Sequence, residues 1–414
     1  MARRIETAGL ELGGGLEVLI SASMEGVDPG QPIEIEGPSE RIALELPGWA
    51  RANGHRILDT WQEGRSPAIR WVVRIERGPA LDQAQPLSDE ALEPKLRDDG
   101  EFHSAQMRTQ DPPTTADPGE GFAPLGSIKQ AGSSSYSWRL NERDSIWASD
   151  VAELTEQATA AQWDASRDIP WEEATGLSPR IERAVAQVMT FIAQNEYAAL
   201  YVPARFLDQI NPAYVEVLMW LSAHVYDEAR HIEVFTKRAL IGGQAGVALA
   251  STELSLKTLL DEDDFTSASL LLNVLGEGTF LDLLRFVGDH APDAATATAA
   301  RLAHRDEQRH VHFGISHVKR SLGANEDAKR SLIAAAENRA SKLTGLSGLS
   351  PLLTESLTLM AAASLQPAEL SEAADAVNEL LGTMERNRLR RLRAAGFEET
   401  EAQHLSDLHT PNLM

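Results

Sequence analysis

Cysteine is absent from the 414 residues of this chain. That removes disulfides, thiolate nucleophiles, iron–sulfur clusters and cysteine-bound zinc, so any metal has to be held by His, Asp and Glu. Positive charge is scarce as well. The 38 Lys+Arg stand against 62 Asp+Glu, a formal net charge of −24, and such a field repels phosphate backbones and anionic lipid; neither nucleic acid nor a membrane is expected as a partner. No run approaches the ~20 apolar residues that span a bilayer. Met1 to Glu6 carry a basic pair, but Thr7-Ala8-Gly9-Leu10-Glu11 follows in place of the apolar core of a secretory signal, and the expectation is a soluble cytoplasmic protein. What remains is 43% hydrophobic and 24% charged, the balance of a globular protein, in a length that suits two or three domains.

The chain changes character twice. In residues 1–77, Pro32-Ile33-Glu34-Ile35-Glu36 and Ile69-Arg70-Trp71-Val72-Val73-Arg74-Ile75 alternate like half-buried strands. A helical pattern from Pro38 closes at Asn53-Gly54. This is a small α+β module. Residues 78–135 lose periodicity, with Asp111-Pro112-Pro113 and Asp117-Pro118-Gly119 in their midst, and read as a linker with little regular structure that could wrap over a domain surface. Residues 136–414 are helical in pattern, broken at Asn211-Pro212, Gly242-Gly243, His290 to Asp293 and Gly323-Ala324-Asn325, which predicts a helical bundle. The fold class expected is mainly α, preceded by the α+β module.

Within the helical region a single pattern occurs twice: Asp227-Glu228-Ala229-Arg230-His231 and Asp306-Glu307-Gln308-Arg309-His310. A Glu and a His three residues apart share a helix face, a turn from each other, and make a two-ligand metal clip. Each clip has an upstream glutamate, Glu196 and Glu277. If helices run unbroken to the Asn211-Pro212 turn, Glu196 and Glu228 both lie ~22–24 Å from it at ~1.5 Å per residue. Glu277 and Glu307 close in the same way about the His290 to Asp293 turn. Packed face to face, the hairpins bring Glu196, Glu228, His231, Glu277, Glu307 and His310 together in the core. Four bare carboxylates cannot be buried there without large cost, and two divalent cations, +4 against −4, offset them. Mixed O/N ligation with an octahedral preference suits iron or manganese better than zinc: two Fe ions are expected, with Mn an option at one or both sites.

The doubled Glu…Asp-Glu-x-Arg-His pattern resembles the ferritin-like superfamily and, within it, the di-iron proteins that activate dioxygen, among them bacterial multicomponent monooxygenases and arylamine N-oxygenases. The segment Gln162-Trp163-Asp164-Ala165-Ser166-Arg167-Asp168-Ile169-Pro170-Trp171 and the ending His409-Thr410-Pro411-Asn412 are similar to N-oxygenase-like members. The resemblance implies that Asp227, Arg230, Asp306 and Arg309 orient the histidines and brace the ligand carboxylates. It implies a non-haem di-iron oxygenase that hydroxylates or N-oxygenates a small organic substrate with O2. No flavin, nicotinamide or haem motif is visible, so electrons come from an external ferredoxin or reductase, and a homodimer is left open. The alternatives are a ferroxidase that turns over O2 without an organic substrate and a scaffold stapled by its metals.

Other side chains near the motif are candidates for catalysis. His224, four before Glu228 and seven before His231, is either a further ligand, as in some N-oxygenases, or a core histidine. The core reading is preferred because those relatives carry their extra histidine at the slot of Ala303. His304 is a weaker candidate of the same kind. Tyr197, Tyr201 and Tyr226 are expected to be buried packing residues with satisfied hydroxyls, radical storage being the alternative. Gly276 and Gly278, which flank Glu277, leave room for substrate or carboxylate movement, or serve tight helix packing. Pro203 should kink or unwind its helix.

Residues 9–77, in the order strand, helix, strand, helix, strand, strand and with Leu46-Pro47-Gly48-Trp49-Ala50-Arg51-Ala52-Asn53-Gly54-His55, resemble the small TusA-type sulfur carriers. Those work through a Cys-Pro-x-Pro motif before the first helix, where this chain reads Gly13-Gly14-Gly15-Leu16-Glu17-Val18. Without the thiol, a docking or lid role is left.

Overall fold

The computed structural model describes residues 3–78, 100–108, 111–127, 134–344 and 350–409. The chain forms two compact units: Met1–Leu96 with Gly126–Ser134, and Arg97–Leu125 with Ser135–Met414.

In the first unit, β1 (Arg3–Glu6), α1 (Leu16–Met24), β2 (Pro32–Gly37), α2 (Arg41–Ala52), β3 (Arg56–Glu63) and β4 (Arg70–Glu76) follow in the order read from residues 9–77, except that the first strand lies ahead of residue 9. The sheet runs β1-β2-β4-β3, with β1 parallel to β2 and the other pairs antiparallel. Period-2 alternation sends Ile33, Ile35, Val73 and Ile75 to one face, where they meet Leu16, Ile20, Ile42 and Leu46 of the helices. On the opposite face Glu34 lies between Arg4 and Arg74, and the Arg74 hydrogen bond, against burial, holds its carboxyl below the usual range. Asn53 ends α2 and Gly54 follows at φ 72°, a left-handed turn glycine adopts without strain.

The second unit is built on α3 (Val151–Ala160), α4 (Pro179–Ala204), α5 (Val215–Leu240), α6 (Ala250–Leu260), α7 (Phe265–Ser269), a π-helical stretch Leu270–Glu277 that runs on into α8 (Gly278–His290), α9 (Ala294–Ala324), α10 (Glu326–Lys342), α11 (Pro351–Ala362), α12 (Pro367–Ala394) and α13 (Glu399–Asp407). Its centre is two helical hairpins: α4 packs on α5, the π stretch and α8 pack on α9, and α5 meets α9 between them. Ser178, with Pro179 behind it, starts α4 by accepting the Ile181 N–H, and Asp293 starts α9 by accepting the Thr296 N–H. Arg238, fully buried on α5, spans the hairpin ends with Nη1 2.7 Å from Glu182 and Nη2 2.8 Å from Asp293. Among the described residues no helix is long and apolar enough to cross a membrane.

Two features depart from the sequence reading. Pro203 neither kinks nor unwinds the middle of a helix: α4 ends one residue later, at Ala204. Residues 205–214 then leave the helical path, with Ile210 bridging to Leu140 and a short 3-10 turn at Pro212–Tyr214. Glu196 is therefore about 12 Å of helix from its end and Glu228 about 20 Å from the start of α5; the connection, not equal helix lengths, brings them level. Much of the stretch read as a linker packs within the second unit: Arg108 pairs with Glu216, Ser104 N–H donates to Glu156 at 2.7 Å, Ala116 is in the core, and Tyr214 Oη donates to Pro113 O at 3.2 Å. Polar backbone without periodicity finds its partners here on helix ends. Residues 79–99, 109–110 and 128–133 of that stretch lie outside the described residues.

Candidate metal centre

Glu196 comes from α4, His224, Glu228 and His231 from α5, Glu277 from the end of the π stretch, and Glu307 and His310 from α9. All seven are buried. Their ligating atoms fall into two groups, each within 4.8 Å: His224, Glu228, Glu277 and His310, and Glu196, Glu228, His231 and Glu307. The six residues expected from the doubled motif are thus brought together. His224, preferred as a plain core histidine, stands among them, its Nε2 3.2 Å from Glu277 Oε1 and 3.4 Å from Glu228 Oε1. Its spacing from Glu228 and His231, i−4 and i−7, was the available signal.

Each motif histidine turns one nitrogen to the glutamates and the other outward. His231 Nδ1 lies 3.2 Å from Glu307 Oε1 and 3.5 Å from Glu228 Oε2, while its Nε2 is 3.3 Å from Asp306 Oδ2. His310 Nδ1 lies 2.8 Å from Glu228 Oε1, and its Nε2 is 3.4 Å from Asp227 Oδ2. The bracing crosses between the hairpins, since the aspartate of each motif serves the histidine of the other. Arg230 Nη2 bridges Asp227 at 2.5 Å and Asp306 at 2.8 Å, and Arg309 Nη2 bridges Asp306 at 2.6 Å and Asp227 at 3.2 Å. Trp163 Nε1 donates to Asp306 Oδ2 at 2.6 Å and lies under the Arg230 guanidinium, while Gln162 touches both Asp227 and Arg230. Asn273 donates to Glu277 Oε2 at 2.7 Å. The Trp163 and Asn273 contacts were not foreseen; Asn273 shows only an i, i+4 relation to Glu277, and nothing in the sequence points from Trp163 to Asp306.

Two aspartates and two arginines neutralise one another in this ring, which leaves four glutamates without a fixed cation. Burial, then Glu228 and Glu307, drives the Glu196 carboxyl well above its ordinary range, and burial raises Glu277 as well. Glu228 feels the same burial, yet His231, His224 and His310 around it hold it well below. Burial lowers His231 and His310, but Glu228 and Glu307 respectively, with the aspartates, lift both well above the usual imidazole value. Glu196 Oε1, both Glu228 carboxylate oxygens and His231 Nδ1 are buried with no hydrogen-bond partner. Acceptors left bare at the centre of a bundle, beside imidazole nitrogens aimed the same way, form two groups of donors that could each hold a metal ion.

Other candidates lie elsewhere. Tyr197, Tyr201 and Tyr226 are 51%, 55% and 60% exposed; they sit on the outer faces of α4 and α5, which corrects the expectation of buried packing tyrosines beside the metals. His304 is half-buried and outside both groups. At Gly278 the vacant Cβ position abuts Arg391 Nε, so that space belongs to helix packing and not to a substrate. Of the ending His409-Thr410-Pro411-Asn412, His409 has Nε2 3.5 Å from Thr279 Oγ1, and the rest falls outside the described residues.

No family model matches the chain, and no curated protein matches it. Solved structures that superpose on it include mutant R2-like ligand-binding oxidases. One with an aerobically reconstituted Mn/Fe cofactor is 17% identical at a TM-score of 0.40, covering 60% of this chain and 92% of its own. Another, with an anaerobically reconstituted Mn/Fe cofactor, is 16% identical at 0.42, covering 60% and 93%.

Proposed function

We propose that the helical unit is a ferritin-like dimetal oxidoreductase that uses O2 to oxidise a small organic substrate, with electrons from an external ferredoxin or reductase. The observation that carries this reading is the set of bare, buried carboxylate oxygens between two hairpins, with three imidazoles turned toward them. Glu196, Glu228, His231 and Glu307 would hold one ion, and His224, Glu228, Glu277 and His310 the other. Bound Fe, or Fe with Mn, supplies the redox equivalents that reduce O2. The chain's own residues do the rest. Asp306 and Asp227 fix the Nε2–H tautomers of His231 and His310, which leaves each Nδ1 free to ligate. Against burial, His310 holds the Asp227 carboxyl and His231 the Asp306 carboxyl below the ordinary range, and Arg230 and Arg309 pair with both. Asn273 holds Glu277 by one oxygen and leaves the other toward the cluster. The two donor sets differ, with two imidazoles on one side and one on the other. We read the amino-terminal unit as TusA-like in order but without the cysteine such carriers use, which leaves it a docking or lid role.

The test is anaerobic reconstitution with Fe(II), followed by O2 exposure with candidate amines and arenes. The oxygenase reading expects O2 uptake that depends on one substrate, with an oxygenated product. Uptake tied to Fe(II) alone would make the protein a ferroxidase, and inertness to O2 would make the metals structural.

A further inference from the structure

A cavity of about 570 Å³ lies in the helical unit where α7, the end of α9 and α10 meet residues 142–145, within the roughly 300–1,000 Å³ of small-molecule sites. It shares no residue with the glutamate cluster. Three carboxylates line it, Glu142, Asp144 and Asp264. Asp144 is already committed, with Arg320 Nη2 2.7 Å away. Glu142 accepts the Thr115 hydroxyl at 2.8 Å, and Asp264 accepts the Ser267 N–H at 2.7 Å as the cap of α7. Among the described residues no cation pairs with either of these two.

Unpaired carboxylates alone describe a solvated rim. Two hydroxyls set this cavity apart. Ser267 is 3% and Ser321 8% exposed, both line the space, and neither Oγ has a hydrogen-bond partner among the described residues. A buried hydroxyl without a partner is unfavourable, so both are left to what fills the cavity. Leu332, 1% exposed, adds an apolar wall. A metal ion does not suit this lining: Glu142, Asp144 and Asp264 do not bring three ligating oxygens within 4.8 Å of one another. Separated carboxylates, free hydroxyl acceptors and an apolar wall suit ammonium groups joined by a short aliphatic chain. Each charge then finds a carboxylate, each remaining N–H an oxygen, and the methylenes an apolar surface.

We propose that this cavity binds an aliphatic diamine or short polyamine, with Glu142 and Asp264 holding its ammonium groups and Ser267 and Ser321 accepting further N–H bonds. The site stands apart from the dimetal reading, and either can fail alone. A net charge of −24 draws such cations to any face, so the experiment has to separate a site from the general field. It is calorimetric titration of the full chain at physiological salt, with 1,4-diaminobutane, butane-1,4-diol and magnesium chloride in separate arms. Saturable binding of one diamine per chain is expected, with the neutral diol weaker by roughly tenfold or more. Asp264→Asn keeps the cap on α7 but not the charge, and Glu142→Gln keeps an acceptor for Thr115; each should weaken the diamine by a similar factor. Ser321→Ala should weaken it less, and Glu379→Gln, on an exposed face of α12, should leave it unchanged. Diamine uptake that never saturates, a diol that binds as tightly, displacement of the diamine by stoichiometric magnesium, or equal diamine affinity in wild type, Asp264→Asn and Glu142→Gln would each overturn the proposal.

Discussion

Asp306, on the second hairpin, receives the Nε2 of His231 on the first at 3.3 Å, and Asp227 faces His310 across the same gap at 3.4 Å. This reciprocal exchange couples the hairpins through their histidines. Asp306→Asn keeps the shape but gives up the charge that fixes the His231 tautomer. Outer partners of this type are worth roughly 10- to 100-fold in metal affinity. We expect competition titration to show that loss at one ion of the pair and less at the other; equal affinity for both ions would remove the bracing role.

His224 separates two descriptions of the centre. As a ligand, its replacement by Ala weakens one of two bound ions by at least about tenfold, because a neutral imidazole donor is lost, and leaves the second in place. As packing, it costs stability alone. Metal content after dialysis against a weak chelator distinguishes the two.

Arg238 is the ion pair on which the bundle ends depend. It is fully buried, with Glu182 at 2.7 Å, Asp293 at 2.8 Å and Thr296 Oγ1 at 2.6 Å. Removing one partner of such a group leaves buried charge uncompensated, a loss of about 3–5 kcal/mol. Arg238→Leu should show this in urea denaturation, whereas Arg386→Met, on an exposed face, should stay within about 0.5 kcal/mol of wild type.

His317 gives a pH dependence apart from the metal cluster. Burial pushes its imidazole down to about 4, with Nδ1 on Trp147 O and Nε2 on Thr266 Oγ1, both at 3.0 Å. The folded state thus favours the neutral ring, while the unfolded chain titrates near 6.5. Its contribution is fully present above pH ~6.5, declines as pH falls toward ~4, and declines no further below that, a total of about 3 kcal/mol. The difference in unfolding free energy between wild type and His317→Asn should shift toward the variant by about that amount between pH 7 and pH 4. A constant difference would contradict the assignment.

The sequence shows some layers of this molecule better than others. Helix breaks at His290 to Asp293 and at Asn325 are legible because Asp and Asn caps and Pro292 leave the backbone few options. The clustered glutamates are legible because surface charge pairing rarely repeats the same three-residue Glu-to-His spacing on two helices, each with a glutamate upstream. The exposure of Tyr197 and Tyr226 was not, since each helix face is set by what packs against it and not by composition. The π-helical turn before Glu277 also escaped, because one extra residue per turn leaves no mark on the periodicity of so apolar a run as Leu270-Leu271-Leu272. The path of residues 205–214 escaped for a related reason: Pro203 signals an interruption but not whether the helix bends or stops.

The most direct measurement of the central claim is the metal content of the full chain after anaerobic loading with Fe(II) and removal of free ion, wild type beside Glu228→Ala. Glu228 belongs to both donor groups. Two ions per wild-type chain and no more than one in the variant are predicted; less than one ion in wild type, or two retained without Glu228, would contradict the account.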